Sequence, residues 1–108
     1  MDDDLPPEVM QKLKQSYLQS LPERLEAIRK AIADLRAHIA PETISALRFL
    51  VHKMAGNAGT FGFGEVTRLC REWEAKLARP ESCAQIPNLA SELEAFFAKI
   101  QQEFQSHG

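Results

Sequence analysis

The sequence lacks the features that mark two large classes of protein. Its longest apolar run is about four residues, whereas a membrane-spanning helix needs about twenty. It also lacks a basic surplus, because 13 Lys and Arg stand against 15 Asp and Glu, for a formal net charge of −2. Nucleic-acid binders and proteins of anionic membrane surfaces usually carry such a surplus. The 108 residues are therefore expected to form one globular domain with neither type of partner.

Cysteine is scarce, and metal-ligand patterns are missing. Cys70 and Cys83 have no C-x-x-C spacing, so neither a disulfide framework nor a structural zinc site is expected. Cys70 falls on an apolar helical stripe, where a small buried thiol is the simplest interpretation. A metal-binding bundle is weakly supported because no Glu-x-x-His pair occurs, and no metal is predicted. The acidic residues 2–4 do not resemble a signal peptide, which predicts a cytoplasmic location.

Strand-like alternation is also absent, and apolar residues recur instead at helical spacing. Pro22 suits the first turn of a helix, and Pro41 and Pro80 mark further helix boundaries. Several amphipathic helices joined by short connections can bury their apolar stripes only against one another. We therefore predict an all-α fold over residues 1–108, an antiparallel up-down four-helix bundle with an additional short N-terminal helix. The predicted helices cover about residues 8–20, 21–39, 42–60, 65–78 and 88–105.

One histidine lies out of phase with the core stripe of its helix. The stripe of helix 42–60 runs from Ile44 to Ala58, and at about 100° per residue His52 falls about 130° from its centre. Gly56 and Gly59 lie on the same side, although each glycine costs about 1 kcal/mol relative to alanine in a helix interior. Bare backbone beside His52 would let a partner approach the imidazole. Alternatively, the glycines permit close helix packing, or the helix frays before Gly59.

Three further residues share this side of the helix, namely Ser45, Arg48 and Phe49. Phe49 lies roughly opposite the core stripe although it is a large aromatic residue. The first interpretation is that the N-terminal helix covers Phe49. The alternative is that Phe49 contacts a docking partner, since aromatic residues are enriched at interfaces.

The segment HKMAGNAGTFG at residues 52–62 resembles the signature of histidine-containing phosphotransfer (HPt) domains. In that signature a histidine is followed by an apolar residue two positions later, glycine four later, a small residue six later and glycine ten later. The matching positions are His52, Met54, Gly56, Ala58 and Gly62. The resemblance implies a four-helix bundle of about this length, with the histidine on the second bundle helix.

The resemblance further implies a phosphoryl carrier without kinase activity of its own. A receiver domain with a phospho-aspartate would dock on the His52 face, and the imidazole would take the group through Nε2 and pass it to a second receiver. Mg²⁺ is expected on the receiver, and no cofactor on this chain. The implied partners are response-regulator receiver domains and a hybrid sensor histidine kinase, although the sequence leaves open whether this domain acts alone. The chain is expected to be monomeric.

Family members commonly carry a lysine three residues after the histidine, where this sequence has Ala55. Arg48, one turn before His52, and Lys53, beside it in sequence, are the candidate replacement cations near the phosphoryl group. Either could equally be a solvated surface residue. The missing lysine keeps open an alternative function, a non-catalytic adaptor that binds a receiver or kinase.

The resemblance also implies a role for Glu74, because related domains often have a glutamine or glutamate at this place, facing the histidine. A carboxylate there would hold the Nδ1 proton of His52. An exposed helix glutamate is the alternative. The docking surface expected from the resemblance and the helical phase comprises Ser45, Phe49, Gly56 and Gly59.

Overall fold

A computed structural model describes residues 5–83 and 85–106, and all regular structure in these two ranges is helical. The connections between the long helices are short, except before the last one, where a single helical turn is inserted. No helix in the described ranges combines the length and apolar character needed to cross a membrane. The helices are α1 (Pro7–Ala37), α2 (Pro41–Thr60), α3 (Gly64–Leu77), the one-turn α4 (Pro80–Cys83) and α5 (Leu89–Ser106).

The four long helices form a ring in which α1 packs on α2 and α5, and α3 packs on the same two helices. Side-chain contacts show that neighbours in the ring run antiparallel. Along α1 and α5, for example, Tyr17 contacts Phe104, whereas Arg36 pairs with Glu94 nearer the opposite ends of the two helices. Among the residues whose burial the structure describes, the buried side chains belong to hydrophobic residues and come from every long helix. The predicted antiparallel four-helix bundle is thus confirmed.

The additional N-terminal helix is not a separate element, so the predicted division between helices 8–20 and 21–39 is wrong. A single helix, α1, continues through Pro22. A proline inside a helix removes one hydrogen bond and costs about 3 kcal/mol. Here one buried stripe extends across the proline, from Tyr17 and Leu21 to Ile28 and beyond. Burial of each large side chain contributes about 1.5–3 kcal/mol, so the continuous stripe outweighs the proline.

The first turns of α1 leave large apolar side chains exposed. Val9 and Leu13 are exposed large hydrophobic residues on these turns, and Tyr17 is the first residue of α1 that is buried. At the other end, α1 stops at Ala37, so that Ile39 is exposed instead of continuing the core stripe. Phe49 is also exposed, and the interpretation that an N-terminal helix covers it is wrong.

The turn after α2 directs α3 back along α2. Gly62 adopts φ +90°, a left-handed conformation that glycine reaches without strain. The amide of Phe63 donates to the carbonyl of Ala58 at 2.9 Å, and that of Gly62 to Gly59 at 3.3 Å. These two bonds form a Schellman motif, which ends the helix. Phe63 then enters the core, and α3 begins antiparallel to α2.

Candidate functional site

The imidazole of His52 projects from the outer face of α2. Its side chain is 62% exposed, whereas the adjacent Val51 is completely buried. This difference follows from the helical period, since consecutive residues are about 100° apart around the axis. The solvent-facing position of the ring therefore agrees with the helical phase read from the sequence.

Glu74 of α3 contacts this ring from the neighbouring helix. Its Oε2 atom lies 2.6 Å from Nδ1 of His52, and the Glu74 side chain is only 20% exposed. An ionised carboxylate can only accept hydrogen bonds, so Nδ1 is the ring nitrogen that carries the proton. In the neutral imidazole the lone pair then resides on Nε2. The arrangement leaves one nucleophilic nitrogen on an exposed ring.

An open depression of about 330 Å³ adjoins the imidazole. Its wall is lined by Ser45, Arg48 and Phe49, in addition to His52 and Glu74. Arg48 therefore brings a positive charge to the same depression as the nucleophilic ring. Since all but Glu74 come from α2, consecutive turns of a single helix build most of this wall.

Lys53 takes a different direction from Arg48. Its Nζ atom lies 5.3 Å from the centroid of the Phe49 ring, within the range of a cation–π contact. Lys53 lines the groove between α1 and α2, together with Glu23 and Arg24, and it is not among the residues lining the depression beside His52. Of the two candidate cations, Arg48 lines the depression, whereas Lys53 contacts Phe49 and lines the groove between α1 and α2.

The two glycines after His52 have different surroundings. A Cβ atom added at Gly56 would meet nothing within 4 Å, so the backbone there faces open space. A Cβ atom at Gly59 would lie 3.0 Å from Oγ1 of Thr67 on α3. The short distance to Thr67 favours close helix packing as the reason why position 59 is glycine. At Gly56, by contrast, the open space is what a docking surface requires.

The position of the missing lysine lies at the junction of α2 and α3. The Ala55 side chain is fully buried, and its backbone carbonyl accepts a hydrogen bond from Thr67 Oγ1 at 2.8 Å. Sequence reasoning missed Thr67 because this bond joins two different helices. It also missed Arg71, whose Nη1 lies 3.9 Å from Oε1 of Glu74. The spacing of three residues between Arg71 and Glu74 is the signal that could have indicated this pair.

Within residues 5–83 and 85–106, no group of three or more His, Cys, Asp and Glu side chains is arranged to hold a metal ion. His52 has a single carboxylate partner rather than a ligand set. The site therefore combines an exposed imidazole, the carboxylate of Glu74, the guanidinium groups of Arg48 and Arg71, and an open depression.

Comparison with protein families gives a match that spans most of the chain. A family model described as Hpt domain matches residues 12–103. The matched segment includes the four long helices almost completely, together with His52 and Glu74. Searches among curated proteins and among solved structures find no significant match. The chain thus belongs to the Hpt domain family, whose members are phosphocarriers that take part in histidine phosphotransfer in two-component phosphorelays.

Proposed function

We propose that this chain is a phosphorelay intermediate that accepts a phosphoryl group from a receiver-domain aspartate onto His52 and passes it to another receiver aspartate. The observation that carries the proposal is the 2.6 Å contact between Nδ1 of the exposed His52 ring and Glu74. This contact leaves Nε2 as the nitrogen with an available lone pair. Family membership supports the chemistry, and the geometry supports His52 as the residue that performs it.

In the proposed step, Nε2 of His52 attacks the phosphorus of the receiver's phospho-aspartate in line. The Nε2–P bond forms while the P–O bond to the aspartate breaks, and the electron pair leaves with the aspartate carboxylate. The Nδ1 proton stays in the hydrogen bond to Glu74, whose negative charge stabilises the positive charge that develops on the ring. Because such transfer depends mainly on positioning and charge neutralisation, the domain needs no further catalytic group. Transfer of the phosphoryl group from Nε2 to the aspartate of a second receiver follows the same step in the opposite direction.

Charge on the phosphoryl oxygens is balanced from both sides of the interface. We expect Mg²⁺ to be supplied by the receiver and Arg48 to be the cation supplied by this chain, since it lines the depression beside the ring. Lys53 contacts Phe49, so its proposed role is to support that aromatic ring rather than to reach the phosphoryl group.

The receiver is proposed to dock on the exposed face of α2. Phe49 supplies an apolar contact at the edge of the depression, Ser45 lies on the same face, and Gly56 leaves the backbone open to close approach. Gly59 is also exposed, but an added Cβ would lie 3.0 Å from Oγ1 of Thr67, so its proposed contribution is to the packing of α2 on α3. Large exposed aromatic side chains commonly dominate binding energy at such interfaces.

The adaptor alternative rests on Ala55. Family members commonly carry a lysine three residues after the histidine, and this chain has a buried, uncharged alanine there. The positive charge of that lysine is therefore missing from the site. An adaptor would bind a receiver or kinase through the same α2 face without taking up the phosphoryl group. The alternative and the proposed carrier function therefore differ in phosphotransfer and not in binding.

The test is phosphotransfer from a radiolabelled phospho-receiver in the presence of Mg²⁺. We expect acid-labile label on the wild-type chain and none on His52→Gln. The matched control is His38→Gln, which alters another exposed histidine and should be labelled normally. Both variants should unfold within about 0.5 kcal/mol of wild type because both side chains are exposed. Receiver binding without labelling of the wild type would support the adaptor, and label retained in His52→Gln would refute the assignment of His52.

A further inference from the structure

The carboxylate of Glu74 has two partners, one for each oxygen. Oε2 lies 2.6 Å from Nδ1 of His52, and Oε1 lies 3.9 Å from Nη1 of Arg71. Arg71 precedes Glu74 by three residues on α3, so the two side chains lie on the same face of that helix. A continuous series of contacts thus extends from Arg71 through Glu74 to the imidazole.

The second partner restricts rotation of the Glu74 carboxylate, which a single partner leaves free. A glutamate side chain has three rotatable bonds, and with a single contact the carboxylate can still rotate about the bound oxygen. An ion pair to the other oxygen limits that rotation and keeps Oε2 directed at the ring. Arg71 is 59% exposed, and exposed ion pairs contribute little to stability. Its influence is therefore expected on the orientation of Glu74 and not on the fold.

The neighbouring helix offers no substitute for Arg71 at the junction of α2 and α3. Position 55 on α2 is occupied by a buried alanine whose carbonyl is bound by Thr67. Arg48 lies on the α2 face that lines the depression, and no ion pair joins it to Glu74 among the described residues. The cation on Glu74 comes from α3 itself, one turn before the glutamate.

We propose that Arg71 is a positioning residue, which holds the Glu74 carboxylate so that the neutral His52 ring keeps its proton on Nδ1 and its lone pair on Nε2. This inference deepens the proposed phosphotransfer and rests on it for its biological meaning. The arrangement of the proton on the ring, however, is a property of the isolated domain. It can therefore be measured without any receiver.

The first measurement is the tautomer of the neutral His52 ring, read from ¹⁵N NMR of its two imidazole nitrogens. We expect wild type to be protonated mainly on Nδ1 and Glu74→Ala to shift towards Nε2. Arg71→Ala should shift in the same direction, and Arg71→Lys should stay closer to wild type because it keeps the charge. The matched control is Arg68→Ala on the same helix, since Arg68 pairs with Glu65 and Glu72 rather than Glu74.

The second measurement separates positioning from docking. With increasing concentrations of phospho-receiver, Arg71→Ala should lower the saturated transfer rate about threefold to tenfold and leave the half-saturating receiver concentration unchanged. A docking contact would change the half-saturating concentration instead, and that result would overturn the proposal. A wild-type tautomer in Arg71→Ala would also overturn it. If the Arg71→Ala shift is present but no label reaches His52, the phosphotransfer function fails while the positioning role stands.

Discussion

At the scale of single residues, the site depends on how differently Glu74 and His52 are exposed. The Glu74 side chain is mostly shielded from solvent, whereas the ring that it contacts faces water. Electrostatic interactions weaken with solvent exposure, so a partly shielded carboxylate stabilises a developing imidazolium more strongly than an exposed one. The exposed ring, in turn, can be reached by a partner as large as a receiver domain. One hydrogen bond thus joins a shielded carboxylate, which stabilises the charge, to an exposed ring, which a partner can reach.

Phe49 gives a prediction at this scale. It is 61% exposed, and it lines the depression beside His52, so we expect it to contact the receiver. Phe49→Ala should weaken receiver binding about 5- to 30-fold, the range of a moderate hot spot. The free energy of unfolding should change by less than about 0.5 kcal/mol because the side chain is not in the core. Calorimetric titration with a receiver and urea denaturation provide the two measurements.

Leu13→Ala is the matched control for this prediction. Leu13 is also an exposed large hydrophobic residue, 45% accessible, but it lies on the first turns of α1. Its removal should leave receiver affinity unchanged. Equal loss of affinity in both variants would mean that binding responds to exposed apolar surface in general and not to the α2 face.

At the scale of elements, α2 has three faces, and each has different surroundings. One face is the buried stripe that includes Leu47 and Val51, a second carries His52 and the depression, and a third meets α3 at Ala55 and Gly59. The third face consists of small residues, which allows the hydroxyl of Thr67 to reach a backbone carbonyl of α2. The close contact of the two helices is consistent with the short distance between His52 and Glu74.

The two glycines of α2 provide the prediction at this scale. Gly56→Ala should raise the free energy of unfolding by about 0.5–1 kcal/mol, because the added methyl group meets open space and alanine favours helix. Gly59→Ala should be less stable than Gly56→Ala by about 1 kcal/mol, since its Cβ would press on Thr67 Oγ1. Urea denaturation of both variants gives the comparison.

The same pair tests the docking surface. Gly56→Ala is expected to slow phosphotransfer several-fold despite its greater stability, because the methyl group occupies space in front of the bare backbone. If Gly56→Ala transfers at the wild-type rate, Gly56 is not part of the docking surface. If the two alanine variants prove equally stable, the contact between Gly59 and Thr67 does not limit the packing of α2 on α3.

At the scale of the whole molecule, aromatic rings from several elements close one end of the core. Tyr17 of α1 stacks on Phe61, with ring centroids 5.0 Å apart, and Phe63 meets Phe104 of α5 edge-on at 4.8 Å. The Tyr17 hydroxyl lies 3.3 Å from the sulfur of Met54 on α2. This cluster joins α1, α2, α5 and the turn before α3, so it stabilises the bundle at the end where the Schellman turn lies.

Three groups in the core predict how stability depends on pH. Burial raises the pKa of the Cys83 thiol above its ordinary value. Burial raises the pKa of the Cys70 thiol to about 12 and the pKa of the Tyr17 hydroxyl to about 12, from ordinary values of 9.0 and 10.0. The unfolded chain therefore releases these protons at lower pH than the folded protein does. Their contribution to stability is complete below about pH 9 and is lost as the pH rises towards 12.

We expect the free energy of unfolding, measured by urea denaturation, to fall between about pH 9 and 11. In Cys70→Ala the core loses packing at pH 7, which should cost about 1–2 kcal/mol, but one of the three titrating groups is gone. The stability difference between wild type and Cys70→Ala should therefore narrow above pH 9. A difference that stays constant from pH 7 to 11 would show that the thiol does not contribute to the alkaline loss.

The sequence predicted the bundle well because its apolar residues recur at helical spacing, and only mutual packing can bury such stripes. The phase of α2 likewise predicted the exposure of His52. The prediction erred at Pro22, since local rules treat proline as a helix boundary. Whether the helix continues there depends on the buried stripe on both sides of the proline, which only the packed bundle reveals.

The order of the helices and the outward position of His52 were determined by sequence alone, because both follow from the helical period of the apolar residues. Tertiary structure decided the rest: the exposure of Phe49, the close approach of Thr67 to Gly59, and the hydrogen bond from Thr67 to the Ala55 carbonyl. These depend on the distance and rotation between separate helices. Such quantities arise from how side chains of distant segments fit together, and no local pattern encodes them.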